Sequence, residues 1–285
     1  MNKKILTVGL ISALTLVSCT QNNSKNIETN SGNTTEKNIS NTASSTNSSK
    51  ENISNIDKAK AILKAFENNN AEVTKYMNSG KYIQHNLAAD VEAFKNTIAS
   101  FKDKGVLVSI LREFEDDFVV LHSNYNFGDF ETSTFDVFHF ENGLATEHWD
   151  NTQIITENSV NSSMIARNEL IDEAKTAENK ALVEKFTNDV LKDKKTEDIE
   201  KYFSSKFIQH DPATAATAGI KKALEKINYE KIHKILQNFV LVMSEAKVES
   251  SSIYDLYRLE DKIVEHWATT EKIPPKTEWK NQNKF

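Results

Sequence analysis

Val73-Thr74-Lys75-Tyr76-Met77-Asn78-Ser79 followed by Lys81-Tyr82-Ile83-Gln84-His85 returns as Ile199-Glu200-Lys201-Tyr202-Phe203-Ser204-Ser205-Lys206-Phe207-Ile208-Gln209-His210, with Gly80 as the sole insertion. Further blocks recur in the same order. Asp117-Phe118-Val119-Val120-Leu121-His122 matches Asn238-Phe239-Val240-Leu241-Val242-Met243, Phe135-Asp136-Val137-Phe138 matches Tyr254-Asp255-Leu256-Tyr257, and Glu147-His148-Trp149 matches Glu265-His266-Trp267. A period of about 120 residues is too long for a solenoid unit and suits a whole domain. Two degenerate copies of one small domain are therefore expected.

Each copy reads alike. An opening amphipathic helix carries Ala61, Leu63 and Phe66 in the first copy and Leu182, Phe186 and Val190 in the second, and a short helix follows around Tyr76 or Tyr202. Val91, Phe94, Ile98 and Phe101 give a third helix one apolar face. Val-, Ile-, Phe- and Tyr-rich runs at 106–114, 117–125, 132–141 and 144–154 predict strands, and Asn142-Gly143 is a strong hairpin signal. Helices followed by an antiparallel sheet define an α+β class. The expected segments are a leader at 1–18, a tether at 19–55, repeat one at 56–157, a connector at 158–175, repeat two at 176–275 and a tail at 276–285.

Ahead of the repeats, Lys3 and Lys4 precede an apolar run from Ile5 to Val17, too short to cross a bilayer and about the length of a signal-peptide core. It ends in Leu16-Val17-Ser18-Cys19, which looks like a lipobox. Cys19 is the only cysteine, so no internal disulfide forms and lipidation is its expected fate. The expectation is a lipid-anchored, extracytoplasmic protein on the cell membrane or outer membrane, with acyl chains at Cys19 as its membrane partner. From Thr20 to about Asn55 the chain is rich in Asn, Ser and Thr and lacks aromatics, the composition of a flexible tether. A formal charge of −6 without a Lys/Arg cluster argues against nucleic acid, and the seven glycines form no phosphate-binding loop.

Tyr82-Ile83-Gln84-His85-Asn86, Phe118-Val119-Val120-Leu121-His122, and Phe135 to Gly143 leading to Glu147-His148-Trp149-Asp150 together resemble the SnoaL-like branch of the nuclear transport factor 2 (NTF2-like) superfamily. The resemblance covers nearly all of repeat one and, more weakly, repeat two. It implies cone-shaped domains in which about three helices pack on a curved sheet around a pocket. It also implies cofactor-free acid/base chemistry by an aspartate and a histidine in some members, and mere binding in others. Domains of this superfamily commonly pair through their sheets, which implies an intrachain pseudo-dimer burying Phe135 and Val137. Departures are Asp116-Asp117 where Gly-Asp is usual, His139 where arginine is common, Met243 at the position of His122 and Ala268 at that of Asp150. They favour repeat one as the site-bearing copy.

His122 and Asp136 lie symmetrically about residue 129, so a regular hairpin places them opposite one another as a candidate acid/base pair. A carboxylate in an apolar pocket rises in pKa toward the range in which a general base works best. The bland alternative is a self-satisfied structural pair. His85, His148, Trp149, Phe118 and Phe138 are candidate ligand contacts, although His85 and His148 recur as His210 and His266 and could equally serve the fold. Whether His148 or Trp149 faces Asp136 depends on whether the hairpin is bulged. No His-x-His or His-x-x-x-His spacing occurs, so neither metal nor cofactor is expected. Three readings remain open: a binding module for a small apolar or carbonyl compound, a cofactor-independent cyclase, isomerase or lyase, and a structural module of the cell envelope.

Overall fold

The computed structural model describes residues 53–85, 90–155, 175–210, 216–225, 227–236, 240–246, 250–279 and 284–285. The leader, Cys19, the tether as far as residue 52 and all of the connector except Lys175 lie outside them, while the last three residues expected in the tether, 53–55, lead into and begin the first helix. Ser54 caps the first helix, α1 (Asn55–Asn68), by accepting the Asp57 N–H, and Asn69 ends it in the left-handed region at φ 53°. Ala59, Ile62, Leu63 and Ala65 form its buried stripe. A 3-10 turn (Ala71–Tyr76), strand β1 (Ile83–Gln84) and helix α2 (Val91–Ser100) follow. Strands β2 (Leu107–Glu115), β3 (Phe118–Asn126), β4 (Glu131–Glu141) and β5 (Leu144–Ile155) complete the first half.

The second half repeats that order with α3 (Thr176–Phe186), which runs on into a π turn, and a 3-10 turn at Ile199–Lys201. Then come β6 (Phe203–Gln209), α4 (Ala216–Leu224), β7 (Tyr229–Leu236), β8 (Val240–Ala246), β9 (Ser251–Glu260) and β10 (Lys262–Lys272). The sheets are ordered β1-β5-β4-β3-β2 and β6-β10-β9-β8-β7. The fold class is thus the α+β arrangement read from the sequence. Each sheet has the four antiparallel strands expected plus a parallel edge strand that the sequence reading missed, formed by the Gln-His block itself.

Alternation divides each sheet into two faces. On the inner face of the first sheet Val119, Leu121 and Phe138 meet Ile62 and Leu63 of α1 and Phe94 and Ile98 of α2. On the outer face Val120, Phe135, Val137 and Trp149 pack in one buried cluster with Leu241, Met243, Tyr254, Leu256 and Trp267 of the second sheet. Arg112 lies 3.9 Å above the Trp267 ring, and Lys234 lies 4.5 Å above the Trp149 ring. Each tryptophan also stacks on a histidine of its own half at 4.7 Å, Trp149 on His85 and Trp267 on His210. A cation held over an indole face contributes about 2 kcal/mol when desolvated.

Candidate polar site in the first half

The loop between β3 and β4 decides which side chains meet. Phe127 N–H donates to the Phe130 carbonyl at 3.0 Å across a four-residue loop, with Gly128 at φ 88°. The strands therefore pair Leu121 with Asp136 and His122 with Phe135. Symmetry about residue 129 required an odd number of loop residues; the even loop shifts the register by one and reverses the faces. This corrects the expected pairing: Asp136 points to the inner face, and His122 to the outer face against the second sheet.

His122 stacks on Phe135 at 4.2 Å and is fully buried. Burial, then the Arg112 charge and His210, hold its pKa well below the ordinary value, so the ring is neutral. Its Nδ1 accepts from Arg112 Nη1 at 2.6 Å, which places the proton on Nε2, 2.9 Å from Ser133 Oγ. Burial also brings the Arg112 guanidinium down to about 9 against the opposing pull of Glu265.

The partner of Asp136 is His148. In the hairpin from β4 to β5, Glu141 faces Leu144 across Asn142-Gly143, and a bulge between His139 and Phe140 then pairs Phe138 with His148, Val137 with Trp149 and Asp136 with Asp150. Neither His148 nor Trp149 is directly opposite Asp136. His148 shares its face from the diagonal position, whereas Trp149 points outward. His148 Nε2 lies 3.0 Å from Asp136 Oδ1, and its Nδ1 lies 2.8 Å from Gln84 Oε1. Both ring nitrogens thus face side-chain oxygens, which fixes the orientation of the ring.

Tyr82 donates to Gln84 Oε1 at 2.5 Å, and Tyr125 donates to Asp136 Oδ2 at 3.2 Å. Burial, reinforced by Asp150 and Asp136, holds both phenols well above their usual pKa, so they remain donors. Phe138 stacks on His148 at 4.1 Å and lies in the packed core of the inner face. Three other expected contacts are corrected. His85 stacks on the outward-facing Trp149, with Nε2 3.4 Å from Glu147; Phe118 packs edge-on against the same indole at 5.9 Å. Alternation along Gln84-His85 turns the glutamine, not the histidine, toward Asp136. The repeated Gln-His block was the signal for Gln84, and only its histidine was read.

The second half contains the same constellation. His266 Nε2 lies 2.9 Å from Asp255 Oδ1, and its Nδ1 lies 2.8 Å from Gln209 Oε1. The turn there is one residue shorter, Glu260 facing Lys262 across Asp261 at φ 64°, and a bulge after Ile263 restores the pairing. Ala268 faces Asp255 where Asp150 faces Asp136. Among the described residues the ligand atoms of Asp136, His148 and Asp150 converge within 4.8 Å of one another, a metal-capable group assembled by sheet pairing rather than sequence spacing.

No protein-family model and no curated protein matches the chain. Solved structures similar to it include an NTF2-like protein of unknown function from Cytophaga hutchinsonii, at 16% identity over 36% of this chain and 94% of that one, with a TM-score of 0.31. A candidate polyketide cyclase from Streptomyces antibioticus is 12% identical over 35% of this chain and 91% of that one, with a TM-score of 0.30. An epoxide hydrolase from M. tuberculosis is 16% identical over 35% of this chain and 82% of that one, also with a TM-score of 0.30.

Proposed function

We propose that the chain is a lipid-anchored, extracytoplasmic protein carrying two SnoaL-like domains of the NTF2-like superfamily, paired through their outer sheet faces as an intrachain pseudo-dimer. The first domain binds a small apolar or carbonyl-containing molecule. The observation that carries this reading is the buried Gln84–His148–Asp136 set on the inner face. The Lys3–Cys19 leader supports the anchor, and the shared tryptophan cluster supports the pairing.

A buried polar set of this kind orients a ligand by a few directed hydrogen bonds against apolar walls. Mass spectrometry of the full chain, purified from cells, is expected to reveal a retained small molecule. Asp136→Asn should release it and His122→Met should keep it; equal retention by all three proteins contradicts the reading. A second reading, a cofactor-free acid/base enzyme, is favoured by the 3.0 Å contact of His148 Nε2 with Asp136 Oδ1. That contact provides one atom to take a proton and one to return it. His148 replaces His122 as the partner there, and Asp136→Asn should abolish turnover.

A further inference from the structure

The face that the two sheets share is built twice over, with one exchange. A register shift after Ile110 in β2 and after Ile232 in β7 brings Arg112 opposite His122 and Lys234 opposite Met243. Each cation reaches across to the other half, Arg112 to Trp267 and Lys234 to Trp149, and each indole also stacks on a histidine of its own half, His210 or His85.

The histidines of this face differ in what would answer a positive charge. His85 Nε2 lies 3.4 Å from Glu147, and His233, stacked on Phe285, has Nε2 3.6 Å from Glu245. An imidazolium at either place has a carboxylate in reach. His122 instead faces Arg112 on β2, the uncharged Ser133 on β4 and His210 beyond β6. His210 faces Glu265 and His266 of β10, Arg258 of β9 and Arg112, and neither of its ring nitrogens is hydrogen-bonded among the described residues. Glu265 is held by Arg258 Nε at 3.0 Å, and Arg258 is paired with Glu260 as well. In the first half His139 takes the place of Arg258 opposite Glu147, and Glu147 reaches His85.

His122 can take a second proton only at Nδ1, the atom to which Arg112 donates at 2.6 Å. Protonation sets two donors and two positive charges against each other. Arg112 must then withdraw, and Arg112 is the group that lies over Trp267 of the other half. Burial and then Arg112 hold His122 well below its ordinary pKa, and burial brings His210 to about 4, so both rings are neutral at pH 7 while the faces are together.

We propose that this face is an acid-released latch: protonation of His122 expels Arg112 from its contact with Trp267, and the two folded halves separate. The latch rests on the pairing of the halves proposed above and is independent of any ligand. Lys284, buried with Nζ 2.8 Å from Glu271 Oε2 and 3.5 Å from Asp150 Oδ1, bridges the halves between two carboxylates and takes no part in the trigger. In the separated state both rings meet water and return toward about 6.5. Acid therefore favours separation. The opening constant is flat above about 6.5 and climbs as the pH falls toward about 4, by about tenfold per pH unit for each proton taken up.

The test is a titration of the full chain from pH 7 to 4 in a Trp279→Phe background, which leaves Trp149 and Trp267 as the only tryptophans. Acrylamide quenching of their emission reports separation, and far-UV circular dichroism reports the folded halves. Quenching is expected to rise before the dichroism falls, with the opening constant climbing about 100-fold per pH unit for two protons. His122→Met should reduce that to about tenfold, and Met243→His, which places a second trigger opposite Lys234, should raise it to about 1,000-fold. A rise in quenching only with loss of dichroism overturns the proposal, as does a His122→Met chain that opens as steeply as its parent. Should His122→Met fail to fold, Met243→His decides: a steeper rise supports the latch, and an unchanged one overturns it. Indoles open to acrylamide at pH 7 in a folded chain remove the pairing and the latch together. Indoles shielded throughout, with dichroism intact, remove the latch and leave the pairing standing.

Discussion

The two halves keep the same polar set on their inner faces and differ on their outer ones. Gln84–His148–Asp136 and Gln209–His266–Asp255 agree to within 0.1 Å in both hydrogen bonds of the histidine. At the outer face the first half has His122 with Arg112, and the second has Met243 with Lys234. What looks in the sequence like a lost catalytic histidine is thus a substitution at a packing surface. Beside that shared set they differ at Asp150 against Ala268, where the first half carries a second carboxylate and the lysine that faces it.

The largest way to break this comparison is to empty the shared surface. Trp267 is almost fully buried between Arg112 and His210. Trp267→Ala should cost about 3 to 5 kcal/mol in urea unfolding, and Trp149→Ala a similar amount. A loss confined to one half, with the other still melting at its original midpoint, would show that the faces do not depend on each other.

Neutralising the inner carboxylates should have the next largest effect. Asp136→Asn and Asp255→Asn each keep the shape and remove a hydrogen bond to a charged group, worth about 1.5 to 3 kcal/mol. Equal costs would mark both sets as equally structural. A smaller cost at Asp136 would mark the first as held for function.

The smallest effect is expected from His122→Met, which copies the second half's residue into the first. It removes the hydrogen bond accepted from Arg112 and the one made with Ser133, and puts in their place the side chain that the second half packs at this position. Its pH signature is more telling. His122 is held well below its usual pKa and His210 is lowered to about 4, by burial in each case. Unfolding therefore takes up protons at acid pH, so their contribution is complete above about 6.5 and is lost as the pH falls toward about 4. His122→Met should flatten that decline in unfolding free energy measured between pH 7 and 4; an unchanged slope would mean that His122 is not buried neutral.

The fold was legible because its signals are local and doubled. Strand lengths, the Asn142-Gly143 turn and the apolar stripe of α2 are written in alternation and periodicity, and the repeat supplies each reading twice. The site was less legible because facing depends on single residues in turns. The loop Phe127–Phe130 holds four residues rather than three, and the bulge before Phe140 inserts one, and each reverses which side chains share a face. Neither Gln84 nor Lys284 carries a spacing that announces it. Gln84 acts through a two-residue edge strand, and Lys284 meets Asp150 across a sequence separation of 134.

Nitrogen-15 resonance of the histidine rings tests the central claim, that Asp136 works with His148 on the inner face while His122 belongs to the sheet interface. In Asp136→Asn the account predicts that the His148 ring nitrogens shift and those of His122 and His266 do not, with His122 remaining a neutral Nε2–H tautomer at pH 7. A shift at His122 with His148 unmoved would contradict it.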